Sequence, residues 1–380
     1  MIPNSKDKAD SMAEMHGASV SGIPLEEPNQ ESQLKDRKTE VLPHRSHDPS
    51  NNLKRSDPFK FGSRYLQEDD DVFEFNAWDH VTPDESYYAY AEEQYAHQRA
   101  SPVSDFDKHR FNSDPAKWWN KFYSNNTSNF FKNRKWLHQE FPILSKLTTT
   151  DAGPSTILEV GAGAGNTAFP ILAANENPKL IIHACDFSSK AVDLIKANKA
   201  YDPQQIKASV WDISSDELPP DLTEESVDVV LLIFIFSALN PLQWDAAVKN
   251  VWRALRPGGE VCFRDYGRGD LTQVRFKKGR LMGERFYIRG DGTRVYFFEE
   301  KELRSIWSQN STLSESNGFE DGKIEEPKTK EGSATGLKPD FDVVSLGVDR
   351  RMLVNRQRQL KMYRCWMQGR FKKTGNLKPD

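Results

Sequence analysis

The sequence predicts an α/β protein built on a doubly wound, mostly parallel sheet with an antiparallel C-terminal hairpin, and three observations carry that expectation. Strand-length apolar runs alternate with helix-length amphipathic runs from Ser155 to Arg264, the spacing of successive βα units. The run Val227–Ile235 is apolar almost throughout, as a strand covered on both faces must be. The first strand ends in a glycine-rich turn and the second in an acid about 20 residues on, the layout with which open sheets of this kind bind a nucleoside at their carboxyl edge.

Residues 1–57 are polar, carry only scattered aliphatics and show no periodicity, so they cannot offset the entropy of ordering and read as a disordered tail. From 58 to 150 an N-terminal extension is expected. Aromatics appear among acids at Pro58–Leu66 and Val72–Trp78, a short ordered arm, while Gln94–Asp107 reads as a linker. Dense aromatic sequence at Trp118–Tyr123 and Phe130–Phe141, with apolar positions at helical spacing, predicts helices ahead of the first core strand.

The core unit, 151–380, opens with strands Thr156–Val160, Leu180–Cys185 and Ile206–Trp211, separated by helices Asn166–Ala174 and Lys190–Lys199. Ser188 can cap the second helix, because its hydroxyl accepts a free amide hydrogen of the first turn. After Val227–Ile235 come helix Pro241–Leu255, the turn Arg256–Gly259 and strand Glu260–Arg264. Glu284–Ile288 and Arg294–Phe298 flank Gly290-Asp291-Gly292, a hairpin signal, and a helix follows at Glu299–Ser308. Ser311–Lys338 is a polar loop insertion, and Phe341–Leu346 with Leu360–Met367 supply the last antiparallel strands.

Composition narrows the function. Of 380 residues 37% are apolar, about 43% with glycine, slightly below the roughly 45–50% of globular chains. Mean hydropathy is −0.72, so a real core shares the chain with polar sequence. No apolar run approaches the roughly 20 residues of a membrane helix. Cys185, Cys262 and Cys365 are far apart, which offers neither a disulfide framework nor a CxxC zinc site. The first thirty residues hold five acids and no arginine, so neither a mitochondrial presequence nor a secretion signal is expected, and the cytosol is. Net charge is −4, yet Arg264–Arg294 holds nine Lys/Arg against four acids, and Arg350–Lys373 nine against none. Such clusters neutralise phosphates, with solvated surface as the competing reading.

The glycine turn reads Glu159-Val-Gly161-Ala-Gly163-Ala-Gly165-Asn166. A dinucleotide fingerprint would need glycine at 166, so a pyrophosphate is disfavoured, although a ligand can still lie on the bare backbone of Gly161 and Gly163. Glu159 could hold the loop or receive a cationic group. Asp186 is placed for ribose hydroxyls, and Asp212 for an adenine amino group walled by Ile213 and Ile233. His138 and His183 lie in apolar sequence and read as core residues.

These motifs, with Ala184-Cys-Asp186-Phe-Ser188 and Arg256-Pro-Gly-Gly259, resemble a class I S-adenosylmethionine-dependent methyltransferase, whose fold is Rossmann-like. The flanks Trp119-x-x-Phe122-Tyr123, Asn129–Arg134, Phe263-Arg-Asp-Tyr-Gly267 and Phe286–Phe298 resemble the tRNA 3-methylcytidine methyltransferase family. Phe61–Leu66 and Asn76–Asp79 are similar to its fungal Trm140-type branch, which modifies threonine tRNAs, while a serine-tRNA subgroup shares the core. The resemblance implies methylation of N3 of cytidine 32 in the anticodon loop of tRNA, often aided by a modified adenosine nearby, and leaves the need for a helper protein open. It implies S-adenosyl-L-methionine as cofactor, with Trp119 and Tyr123 over its methionine end and Gly161 beneath. Two departures are Ala162, where relatives usually carry cysteine, and the insertion 311–338.

Neutral cytosine has a lone pair at N3, so no general base is obligatory and catalysis rests on alignment. Asp265 is the expected carboxylate near the base, where it would favour the positive charge that develops on the ring; Tyr266 and Arg264 would shape the pocket and Phe130 stack on the extruded cytosine. A strand-end salt bridge between Arg264 and Asp265 is the competing structural reading. Phosphate contacts are expected from Lys132, Arg134, Arg268, Arg275, Lys277, Lys278, Arg289 and Arg294. Alternatives are a methyltransferase of a protein or small molecule, whose amino-group variant is weakened because Phe236-Ser-Ala-Leu-Asn-Pro241 stands where an Asn/Asp-Pro-Pro-Tyr/Phe tetrad would, a non-catalytic tRNA-binding subunit, and a scaffold acting through its N-terminal tail.

Overall fold

In a computed structural model of the chain the described residues are 65–66, 68–128, 130–308 and 339–374. The tail 1–57, most of the aromatic run before Leu66 and the polar insertion 311–338 lie outside them.

The N-terminal part gives a short strand β1 (Ala77–Asp79) and five helices: α1 (Glu85–Arg99), α2 (Asp105–Ser113), α3 (Pro115–Asn126), α4 (Leu137–Glu140) and α5 (Pro142–Leu147). The expected linker at Gln94–Asp107 is therefore corrected: it is the end of α1 and the start of α2, with Asp84 and Ser104 as side-chain caps. The inward face of α1 is Tyr87, Ala91, Tyr95 and Gln98, polar enough to hide a helix from a hydrophobicity pattern. Gln98 Nε2 donates to the carbonyls of Gln273, Val274 and Phe276, so burial costs it no hydrogen bond.

The core alternates as the sequence predicts. It runs β2 (Ser155–Val160), α6 (Ala168–Ala173), β3 (Leu180–Asp186), α7 (Ser189–Lys196), β4 (Ile206–Val210), β5 (Val227–Ile233), α8 (Trp244–Ala254) and β6 (Leu255–Tyr266). After α9 (Leu271–Val274) come β7 (Leu281–Gly283), β8 (Phe286–Ile288), β9 (Arg294–Tyr296), α10 (Glu300–Trp307) and the hairpin β10 (Phe341–Asn355) and β11 (Leu360–Lys373). Both hairpin strands run well past their expected ends.

Eight strands form one sheet in the order β1-β10-β11-β6-β5-β2-β3-β4. The five from β6 to β4 are parallel, and the hairpin adds to β6 antiparallel. Alternate residues of the central strands feed opposite faces: Leu158, Val230 and Leu232 join one core cluster, Ile157, Val229 and Leu231 the other. Both faces are thus covered, which is why β5 is apolar throughout its centre. Among the described residues no helix is long and apolar enough to cross a membrane, and no group of His, Cys, Asp and Glu could hold a metal ion.

Candidate active site

At the carboxyl ends of the parallel strands lies a cavity of about 700 Å³. Its floor is the turn after β2, where Gly161, Gly163 and Gly165 all take positive φ. At Gly163 a Cβ would stand 2.7 Å from the Tyr123 hydroxyl, and at Gly161 it would run into Ile235, so side chains there would fill the cradle. Asp186, ending β3, accepts the Gly163 and Ser188 amides, each at 2.8 Å, and fastens the turn to the next strand. Burial pushes its carboxyl up to about 6. A carboxylate has about four acceptor sites, so two hydroxyls can still be received. Asp212 follows β4, and its Oδ1 accepts the amide and hydroxyl of Ser214. Ile213 and Ile233 are buried at the same wall.

Two asparagines that the sequence reading did not single out as ligands lock the N-terminal helices over this floor. Asn120 on α3 accepts from Ser188 Oγ at 2.7 Å and from the Lys190 amide at 3.2 Å, pinning α3 to the cap of α7. Trp119 and Tyr123 are thereby held in the cavity, rings stacked at 6.1 Å. Asn166, the residue that breaks the dinucleotide fingerprint, donates to the Phe131 carbonyl and Asn133 Oδ1 and accepts the Arg134 amide. It stitches the aromatic segment to the glycine turn, and α6 accordingly begins at Ala168 rather than at 166.

All eight residues expected at a cofactor, Trp119, Tyr123, Gly161, Gly163, Asp186, Asp212, Ile213 and Ile233, line this one cavity. Of those expected at the substrate, Phe130, Lys132, Arg134, Arg275, Arg289 and Arg294 line it, with Phe130 and Lys132 exposed at the rim.

Several expectations need correction. Arg134 is mostly buried, donates to Thr167 Oγ1 at 2.8 Å and lies 3.9 Å from Glu159, so it faces the glycine turn rather than a phosphate. Burial raises the Glu159 carboxyl to about 7. Arg294 is 6% exposed, and its N–H groups go to Ala238 O, Asn112 Oδ1 and Gln243 Oε1; it ties β9 to α2. Arg268 pairs with Glu92 and Glu299, outside the cavity, and Lys277 and Lys278 stand exposed on the turn after α9, also outside it. Arg264 does not shape the cavity. It is buried between the rings of Trp136 and Trp366 and bound to Asp349 and Gln368, each at 2.6 Å. Asp265 is fully buried behind the wall, accepting the Ser237 amide at 2.9 Å and its own Tyr266 amide at 2.8 Å, with burial raising its carboxyl to about 6. Neighbours on a strand point to opposite faces, so Arg264 and Asp265 do not pair with each other either.

Past the ends of β5 and β6, Phe234, Ser237 and Tyr266 also line the cavity. Phe234 has φ 60, a costly conformation for a phenylalanine, and packs on Tyr266 with ring centres 5.1 Å apart. The Arg289 guanidinium lies 5.6 Å from the centre of the Tyr266 ring. An aromatic wall with the Arg289 guanidinium against it thus shares one cavity with the glycine floor.

A bare-backbone floor, an acid at the end of each of the next two strands and this sheet order define a class I S-adenosylmethionine-dependent methyltransferase. Residues 158–261 match a family model described as a methyltransferase domain. Over 316 residues the chain is 48% identical to a "tRNA(Thr) (cytosine(32)-N(3))-methyltransferase" of Saccharomyces cerevisiae, spanning 83% of this chain and 46% of that relative. It is 44% identical to "tRNA N(3)-methylcytidine methyltransferase trm140" of Schizosaccharomyces pombe, over 82% of this chain and 92% of the relative. A Drosophila melanogaster "tRNA N(3)-methylcytidine methyltransferase Mettl2" is 40% identical over 84% and 90%. The chain belongs to the tRNA N(3)-methylcytidine methyltransferase family.

Proposed function

We propose that this chain methylates N3 of cytidine 32 in the anticodon loop of tRNA, threonine tRNA first and serine tRNA as a second substrate, in the cytoplasm. One observation supports the reading above others: the cavity that holds the glycine floor is continuous with an aromatic wall and a rim carrying Lys132, Arg275 and Arg289, so donor and RNA base meet in one space. The relatives at 44% and 48% identity are both named for N3 methylation of cytidine in tRNA, the second of them for cytosine 32 of threonine tRNA.

Bound at the floor, S-adenosylmethionine supplies a methyl group on a positively charged sulfur. Asp186 would receive the ribose hydroxyls, Asp212 the adenine amino group between Ile213 and Ile233, and Trp119 and Tyr123 would cover the methionine end. Arg134, which Glu159 and Thr167 orient, suits the donor's carboxylate. The protein's remaining task is alignment, because the cytosine N3 lone pair needs no proton removed. Tyr266, with Phe234 packed against it, would take one face of the extruded base, with Phe130 at the entrance. Asp265 acts through others as a positioning residue: its carboxylate fixes the Ser237 and Tyr266 amides, and with them the wall.

The test is a threonine anticodon stem-loop with cytidine or uridine at position 32, with and without the modified adenosine, and with and without a cell extract that could supply a helper protein. Methylation of the cytidine stem-loop alone supports the reading. Equal labelling of both stem-loops would refute it.

A further inference from the structure

The cavity does not end at Tyr266. Beyond β6 it continues along the hairpin, where Leu271, Thr272, Arg275, Leu353, Met362 and Arg364 line it. Leu353 on β10 and Met362 on β11 are direct partners in the ladder and stand side by side, half-buried. Arg364, two residues on and therefore on the same face, has its Nε on Asp270 at 2.8 Å and its guanidinium 4.9 Å over the Trp366 ring. It is held in orientation before any ligand arrives. Two guanidinium groups line this end, that of Arg364 paired with the buried Asp270 behind it.

Strand order measures how far this end is from the donor floor. Neighbouring strands lie about 4.8 Å apart, so β6 is about 10 Å and β11 about 14 Å from the glycine strand β2. Donor residues sit at β2, β3 and β4, and the aromatic wall at β5 and β6. The hairpin adds two more strands along the same line, and Met362 lies four residues before Trp366, the partner of Tyr266 at the end of β6, so this face is too far to touch the donor and lies just beyond the wall where the target base would rest. Its chemistry, an apolar pair flanked by arginines, suits the face of an unstacked base and its phosphate.

We propose that this end is a subsite for the unpaired loop nucleotide next to the methylated cytidine, its base resting on Leu353 and Met362 and its phosphate facing Arg275 and Arg364. The inference rests on the tRNA reading above and adds a second nucleotide to it.

The experiment is a cycle between protein and RNA. The full chain and its L353A/M362A variant are assayed on a threonine anticodon stem-loop and on versions with one loop nucleotide at a time made abasic, with donor affinity measured in parallel. In the variant, KM for the intact stem-loop should rise about tenfold, the scale of one buried aliphatic contact, with kcat and donor affinity near wild type. One abasic nucleotide beside the target should raise the wild-type KM similarly and add nothing in the variant, since the lost contact is the same. An unchanged KM in the variant, or effects that multiply at every loop position, would overturn the subsite. If the variant fails to fold, the abasic series on the wild type decides alone: no KM change at any loop position beside the target overturns it. Failure of the wild type to methylate the intact stem-loop would overturn the tRNA reading itself, and the subsite with it.

Discussion

Asp186 holds the amides of Gly163 and Ser188 with a carboxyl that burial has lifted to about 6 from 3.8. A raised carboxylate disfavours the folded state above the folded pKa, and that penalty is relieved as pH falls through about 6 toward 4. Donor binding runs the other way, because ribose hydroxyls donate to the charged form. Calorimetric donor affinity should therefore weaken as pH is lowered from about 7.5 to about 5, and D186N should bind weakly with a flatter profile. An unaltered profile in D186N would assign the titration to another group. Arg264 carries a different prediction. Removing it leaves the buried Asp349 without its guanidinium partner, so R264M should lose about 3–5 kcal/mol in denaturant unfolding, while R264M/D349L should recover much of that. Equal stability of R264M and the parent would contradict a structural ion pair.

At the scale of elements, α3 matters through how it is held. Asn120 joins it to the cap of α7, and N120A removes an acceptor shared by Ser188 and Lys190. We expect donor affinity to fall about fivefold, equivalent to about 1 kcal/mol, with turnover at saturating donor nearly kept. A fall in turnover at unchanged donor affinity would show that α3 serves the RNA instead. The elements also show what a sequence can reveal. Glycine turn, acids and parallel strands were legible because strand period, positive φ and carboxyl-edge placement are local properties. The hairpin at Gly290–Gly292 was legible for the same reason. The helices across Gln94–Asp107 were not, since α1 buries tyrosines and a glutamine whose polar atoms are satisfied only by residues near 273 and 287. Asp265 and Arg264 were expected at the base and in the pocket, but both lie behind the cavity wall. Their partners, Ser237 and Asp349, are separated from them by 28 and 85 residues, and no spacing rule links them.

For the whole molecule, net charge −4 and RNA binding are compatible because charge is sorted by place. Arg268, Arg285 and Arg370 are matched by Glu92, Glu299, Glu302 and Glu260, away from the cavity. Lys132, Arg275 and Arg289 border it. Binding of tRNA should fall steeply with salt, and K132A/R275A/R289A should reduce the log–log slope by about two, at roughly 0.7 per single-strand phosphate contact. The same slope in the variant would move the RNA path elsewhere. The central claim is that a sulfonium donor on the glycine floor delivers its methyl to one ring nitrogen. Its most direct measurement uses purified chain, methyl-labelled S-adenosylmethionine and tRNA from cells lacking the modification, digested to nucleosides. The account predicts label in 3-methylcytidine mapped to position 32; label in any other nucleoside, or none in RNA, would contradict it.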